Sequence, residues 1–135
     1  MNPKIKTYAA ALLGVATLIT PALADKVLNG SEAQNRLQGR RFDFVCMDGT
    51  QGRASYERSG YATASYRLAN AGETAVAQTD RGQVRADGDA VCIRWQTLNM
   101  GREGCFTMTE RSPGNYRIAT QTTGRWCDLA ERRGS

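Results

Sequence analysis

Residues 90–110 read A-V-C-I-R-W-Q-T-L-N-M-G-R-E-G-C-F-T-M-T-E. Val91, Ile93 and Trp95 alternate with Cys92 and Arg94, the period of two that a strand with one buried face requires. A second strand-like run begins at Gly104, and the residues from Gly101 to Gly104 carry the chemistry of a connecting loop. Set antiparallel with Val91 opposite Phe106, the two runs bring Cys92 opposite Cys105, with both sulfurs on the face away from the Val91, Ile93 and Trp95 row. Cys46 and Cys127 complete an even set of four. Three pairings are formally possible, and the hairpin register selects Cys92–Cys105 with Cys46–Cys127. In the chain-entropy model the short loop contributes roughly 3 kcal/mol and the long one roughly 4 to 5 kcal/mol. A core this small needs that help.

Outward from the hairpin the same pattern recurs. Phe42, Phe44 and Cys46 alternate with Asp43 and Val45 and are followed by the tight-turn pair Asp48-Gly49, so a strand is predicted over 40–47. Further strands are predicted over 52–58, 61–68, 73–79, 83–86, 90–97, 104–110 and 115–121. Between them stand Ser59-Gly60, Asn70-Ala71-Gly72, Asp80-Arg81-Gly82, Asp87-Gly88 and Ser112-Pro113-Gly114. Over 61–68, Ala62, Ala64, Tyr66 and Leu68 are placed inward, and Tyr61, Thr63, Ser65 and Arg67 toward water. One short helix precedes the strands. Ser31 with Gln34 forms an S-x-x-Q capping box, Ala33 and Leu37 share a face, and Gly39 is the stop. The fold class is therefore mainly β: an antiparallel meander forming a small barrel or a sandwich, with one short N-terminal helix and two disulfides.

Ahead of this domain, Met1 to Lys6 are positive, Tyr8 to Ile19 are apolar, and Ala22-Leu23-Ala24 offers small residues where a signal peptidase reads. Residues 1–24 are read as a signal peptide cleaved before Asp25, and 25–135 as a single disulfide-stabilised domain with Glu131 to Ser135 frayed. The expected location is periplasmic or secreted, with no stable membrane insertion after cleavage. The formal charge of +5 falls to +3 once Lys4 and Lys6 are removed. Export and so small a charge exclude nucleic acid as a partner.

The chain has no histidine, which removes His-dependent triads and His-ligated metal sites. Walker loops, nucleophile elbows and dinucleotide fingerprints are absent. The four cysteines are better spent in bridges than as nucleophiles. Asp43, Asp48, Glu57, Asp87, Asp89, Glu103 and Glu110 remain as carboxylates for glycoside chemistry, but Asp48, Asp87 and Asp89 adjoin turn glycines, where Asp serves the backbone. No catalytic residue, cofactor or metal is assigned. Arginine dominates the cations, with Lys26 the single lysine after residue 24; its fork suits polyanions, although GC-rich codon usage produces the same bias. Phe42, Phe44, Trp95 and Phe106 are assigned to the core, and Trp126 to packing on the closing disulfide. Tyr61 and Tyr116 with Arg67 and Arg117 form the candidate ligand-facing patch.

Taken together, the stretch from Leu28 to Gly39, the Asp48-Gly49 turn, Gly82 to Trp95, Gly104 to Phe106 and Asn115 to Arg117 resemble a family of small exported Gram-negative proteins known as domain of unknown function 995. The resemblance covers about 28–120 and is most specific at Cys92-Ile93-Arg94-Trp95 with Cys105. It implies a fold and a location and carries over no activity. The opening strand, F-D-F-V-C-M-D-G over 42–49, is similar to that of the periplasmic inhibitors of C-type lysozyme, small disulfide-bonded barrels, although the Ser and Lys signature of their inhibitory loop has no equivalent here. The expected function is a non-enzymatic envelope module that binds an envelope component or a protein partner. The alternative is an inhibitor of lysozyme or another envelope hydrolase, acting through a loop such as Leu98 to Arg102.

Overall fold

The structure is a computed structural model that describes residues 25–72 and 76–133. The signal-peptide reading of 1–24 lies outside the described residues. Strand β1 (Lys26–Leu28) leads into helix α1 (Gly30–Leu37), and eight strands follow: β2 (Arg40–Cys46), β3 (Gln51–Tyr56), β4 (Tyr61–Arg67), β5 (Gln78–Asp87), β6 (Ala90–Trp95), β7 (Glu103–Ser112), β8 (Asn115–Thr120) and β9 (Trp126–Glu131). From β2 to β9 each strand pairs antiparallel with the next, and β9 pairs back onto β2, so the meander closes into an eight-stranded barrel. Closure leaves no long edge exposed. Where β6 ends along β7, β1 takes over the same edge, with Leu28 opposite Met108.

Both bridges form as the register predicts. Val91 faces Phe106 and Cys92 faces Cys105, and the second disulfide joins Cys46 to Cys127 across the closing pair β2 and β9. Cys92 lies outside the Val91 and Ile93 row yet is fully covered, because Arg85 on β5 reaches across β6 to grip Glu103 on β7 with two hydrogen bonds, at 2.8 and 2.6 Å.

The helix begins two residues earlier than its capping signal suggested. Asn29, not Ser31, is the cap: its side chain accepts from the Glu32 amide at 2.9 Å and Glu32 accepts from the Asn29 amide at 3.1 Å. Asn29-x-x-Glu32 satisfies the same box as Ser31-x-x-Gln34, and close packing at Gly30 decides between them. Gly30 donates to Gly88 at 2.8 Å, and a Cβ on it would lie 2.5 Å from the Ala90 carbonyl oxygen. From that anchor on the β5–β6 turn, α1 crosses one end of the barrel to Gly39, whose amide donates to Tyr56. Ala33 and Leu37 enter the core with Leu28, Phe42, Val91 and Met108. The helix therefore plugs this end, and Phe42 packs edge-on against Tyr56 and Tyr116 behind it.

Three strand readings change. Asp80-Arg81-Gly82 is the interior of the single strand β5 and not a turn, so the segments read as 73–79 and 83–86 belong largely to one strand, with 73–75 outside the described residues. Gly82 is needed because the Trp95 ring occupies the space of its side chain, 2.9 Å from an ideal Cβ, and Asp80 serves a neighbouring loop. Residues 126–131 form β9, with Glu131 paired to Phe42 and its carboxylate on Arg40, so order persists past the point where fraying was placed. Leu68 lies beyond β4 and is exposed, unlike Ala62, Ala64 and Tyr66.

Candidate functional site

Among the described residues none plugs the barrel end opposite α1. There the inward rows finish in the Cys46–Cys127 bridge, Phe106, Ile118 and Thr120, and loop residues Leu68 and Leu98 lean over them. Together they enclose a mouth of about 320 Å³ whose wall is largely hydrocarbon and sulfur, within the size range of small-ligand pockets. The β2–β3 turn, Leu68 just after β4 and the β6–β7 loop border it, and two of the residues lining it, Met47 and Leu68, are exposed apolar side chains. Exposed apolar side chains at an apolar opening are a feature that isolated surface hydrophobes do not produce. Arg125 and Asp48 form a rim ion pair at 3.2 Å. The Asp48 carboxyl is held below its usual range by hydrogen bonds from Thr50, with Arg125 adding to the effect.

The β6–β7 loop has an unusual backbone. Asn99 and Met100 have φ of 56° and 55°, and Gly101 continues at 72°. Left-handed backbone at a residue with a side chain costs about 1–2 kcal/mol. Asp80, 4% exposed, holds the entrance of this loop: one oxygen accepts from Leu98 at 2.7 Å and from Thr97 at 3.1 Å, and the other accepts from Arg81 at 2.8 Å. Burial works against ionisation of Asp80. The amides of Leu98, Thr97 and Arg81 outweigh it and keep the carboxyl below the usual aspartate range.

The four residues grouped as a ligand patch are not one patch. Tyr61 and Arg67 lie on the outer face of β4, at opposite ends of the strand. Tyr116 is a core residue against Phe42, and alternation then turns Arg117 outward on β8, on the far side of the barrel from β4. Arg117 holds Asp128 at 2.7 and 2.9 Å and stacks on Trp126 with its guanidinium 3.7 Å from the ring centre. Trp126 therefore stacks on an arginine, and it lines the same recess as the Cys46–Cys127 bridge. Sequence reasoning missed the mouth because its lining comes from four strands, β2, β7, β8 and β9, and from the loops between strands. The one local signal was Leu68, an apolar residue at the end of a strand.

The acidic candidates are dispersed. Asp43 pairs with Arg53, Asp87 with Arg85, and Glu110 with Arg36 at the plug end. Among the described residues one group of three possible metal ligands lies close together, Cys92, Glu103 and Cys105; its sulfurs are joined to each other and its carboxylate is on Arg85. Among the described residues no helix is long and apolar enough to cross a membrane. Comparison with protein-family models, curated proteins and solved structures returns no match.

Proposed function

We propose that this protein is a non-enzymatic module of the periplasm or the extracellular space that takes the apolar chain of an amphipathic envelope lipid into the open mouth of its barrel. The observation that carries this reading is the asymmetry of the barrel ends: one is sealed by α1, and the other presents an apolar recess bordered by the exposed side chains of Met47 and Leu68. Burial of a chain there contributes about 0.8 kcal/mol per methylene. At the rim the Arg125 guanidinium meets Asp48 through one nitrogen and keeps further N–H donors that suit an anionic head group. Export is supported by the leader-like residues 1–24 and by two disulfides with no free cysteine among the described residues. The test is titration of the disulfide-bonded protein with a fluorescent fatty acid. Saturable binding is expected, weakened about tenfold or more by Leu98→Asp, which places a charge at the recess. Absence of binding, or binding indifferent to that change, overturns the proposal.

A second reading, an inhibitor of an envelope hydrolase, draws support from the Leu98–Arg102 loop. A strained, exposed loop held rigid by a buried carboxylate is a form that can enter a partner's cleft. A lysozyme turbidity assay decides it. Unchanged lysis at saturating protein eliminates the reading for lysozyme, and inhibition lost with Asp80→Asn supports it.

A further inference from the structure

Away from the mouth, the outer faces of β4, β5 and β6 form two adjoining shallow depressions of about 460 and 610 Å³ that share Tyr61, Gln83 and Arg94. The register explains why these side chains meet: Tyr61 lies opposite Gln83, and Gln83 lies opposite Arg94 on the next strand. Arg81, one step further along the same face of β5, lays its guanidinium over the Tyr61 ring, 4.6 Å from the centre. Gln96 follows on the other side, its amide donating to the Arg81 carbonyl.

The charge of this groove comes from two arginines on adjoining strands. Many arginines elsewhere are met by carboxylates, among them Arg36 by Glu110, Arg53 by Asp43, Arg117 by Asp128 and Arg125 by Asp48. Within the groove the one acid, Glu103, is already held at both oxygens by Arg85. Arg81 and Arg94 have no carboxylate partner among the described residues, and Arg94 acts on Glu103 only through space. The groove thus holds two uncompensated, forked donors on a rigid sheet face, beside an aromatic ring and two primary amides.

We infer that this groove is a binding site for an acidic oligosaccharide, with Arg81 and Arg94 taking carboxylate or phosphate groups on the sugars and Tyr61, Gln83 and Gln96 meeting the rings and hydroxyls between them. Forked guanidinium groups recognise both kinds of oxyanion by paired hydrogen bonds. The amides supply the donors and acceptors that sugar hydroxyls need. Two adjoining depressions of this volume suit a chain of sugars more than a single ion. Two free cations are too few for the many phosphate contacts that carry nucleic-acid binding. The site lies on a different wall from the mouth, so it stands whether or not the barrel takes up a lipid.

Calorimetric titration of the disulfide-bonded protein at low salt tests the assignment, using oligogalacturonate as the carboxylated glycan, phosphorylated dextran as the phosphorylated one, neutral dextran, and a short single-stranded DNA. Binding of at least one acidic glycan is expected, and the stronger of the two identifies the source of the oxyanion. Arg81→Gln and Arg94→Gln are each expected to weaken it about tenfold, and Arg132→Gln, away from the groove, to leave it within about twofold. Near-ultraviolet circular dichroism checks that the variants keep their fold. Failure to bind either acidic glycan, equal binding of neutral dextran or of DNA, or equal loss with Arg132→Gln overturns the assignment.

Discussion

Asp80 is the clearest single-residue device in the molecule. It was read as turn chemistry beside Gly82, and it does serve backbone amides, but those of a loop that is remote in sequence. Replacing it by Asn keeps the shape and removes the charge that gathers Thr97, Leu98 and Arg81. Hydrogen bonds to an ionised group are worth more than neutral ones, so Asp80→Asn is expected to cost about 2 kcal/mol in denaturant unfolding. The pH dependence follows from its lowered pKa. A depressed folded value means that its contribution is complete above the ordinary aspartate value of 3.8 and is lost as pH falls through the lower folded value. The Leu98 and Thr97 amide resonances should therefore titrate together below that range, and in Asp80→Asn they should not. Gly82→Ala is the companion test. A Cβ there meets the Trp95 ring at 2.9 Å and the Arg94 carbonyl at 3.0 Å, and overpacking of this kind costs about 1–3 kcal/mol. An unchanged unfolding midpoint would show that the Trp95 ring yields.

At the scale of elements, α1 does most to make the two barrel ends different. Asn29→Ala removes the cap and should lower stability by about 1 kcal/mol. Leu37→Ala leaves a hole in the plug and should cost about 2–5 kcal/mol, with thermal or denaturant unfolding as the measure. The strands that were legible from sequence were those whose turns announce themselves: Asp48-Gly49, Asp87-Gly88 and Pro113-Gly114 each place a glycine at positive φ. Those misjudged share a cause. In β5, Asp80 and Gly82 carry turn residues for tertiary reasons that no local window contains, and β9 is stabilised by pairing to both β2 and β8 across the closure. The candidate site was legible only in fragments. Tyr61 was singled out, but the arginines that accompany it, Arg81 and Arg94, become neighbours only through the registers of β4, β5 and β6. Tyr116 was misplaced because a tyrosine next to an arginine gives no sign of which one faces the core.

For the molecule as a whole, the two bridges act over very different spans. Cys46 and Cys127 are 81 residues apart and close the barrel, whereas Cys92 and Cys105 are separated by 13 and staple one hairpin. Chain entropy makes the longer tie the stronger by roughly 1–2 kcal/mol. Replacing both Cys46 and Cys127 by Ala should therefore lower the unfolding midpoint more than the same change at Cys92 and Cys105, and the reverse order would mean that native contacts, not chain entropy, dominate. The longer bridge also forms part of the wall of the open mouth, and thiol exchange requires a thiolate to approach one of the sulfurs. A guest seated in that recess stands in the path of the attacking reagent, so the rate at which a mild reductant opens this bond becomes a clock for occupancy, slowing as the recess fills, while the hairpin bond provides an internal reference.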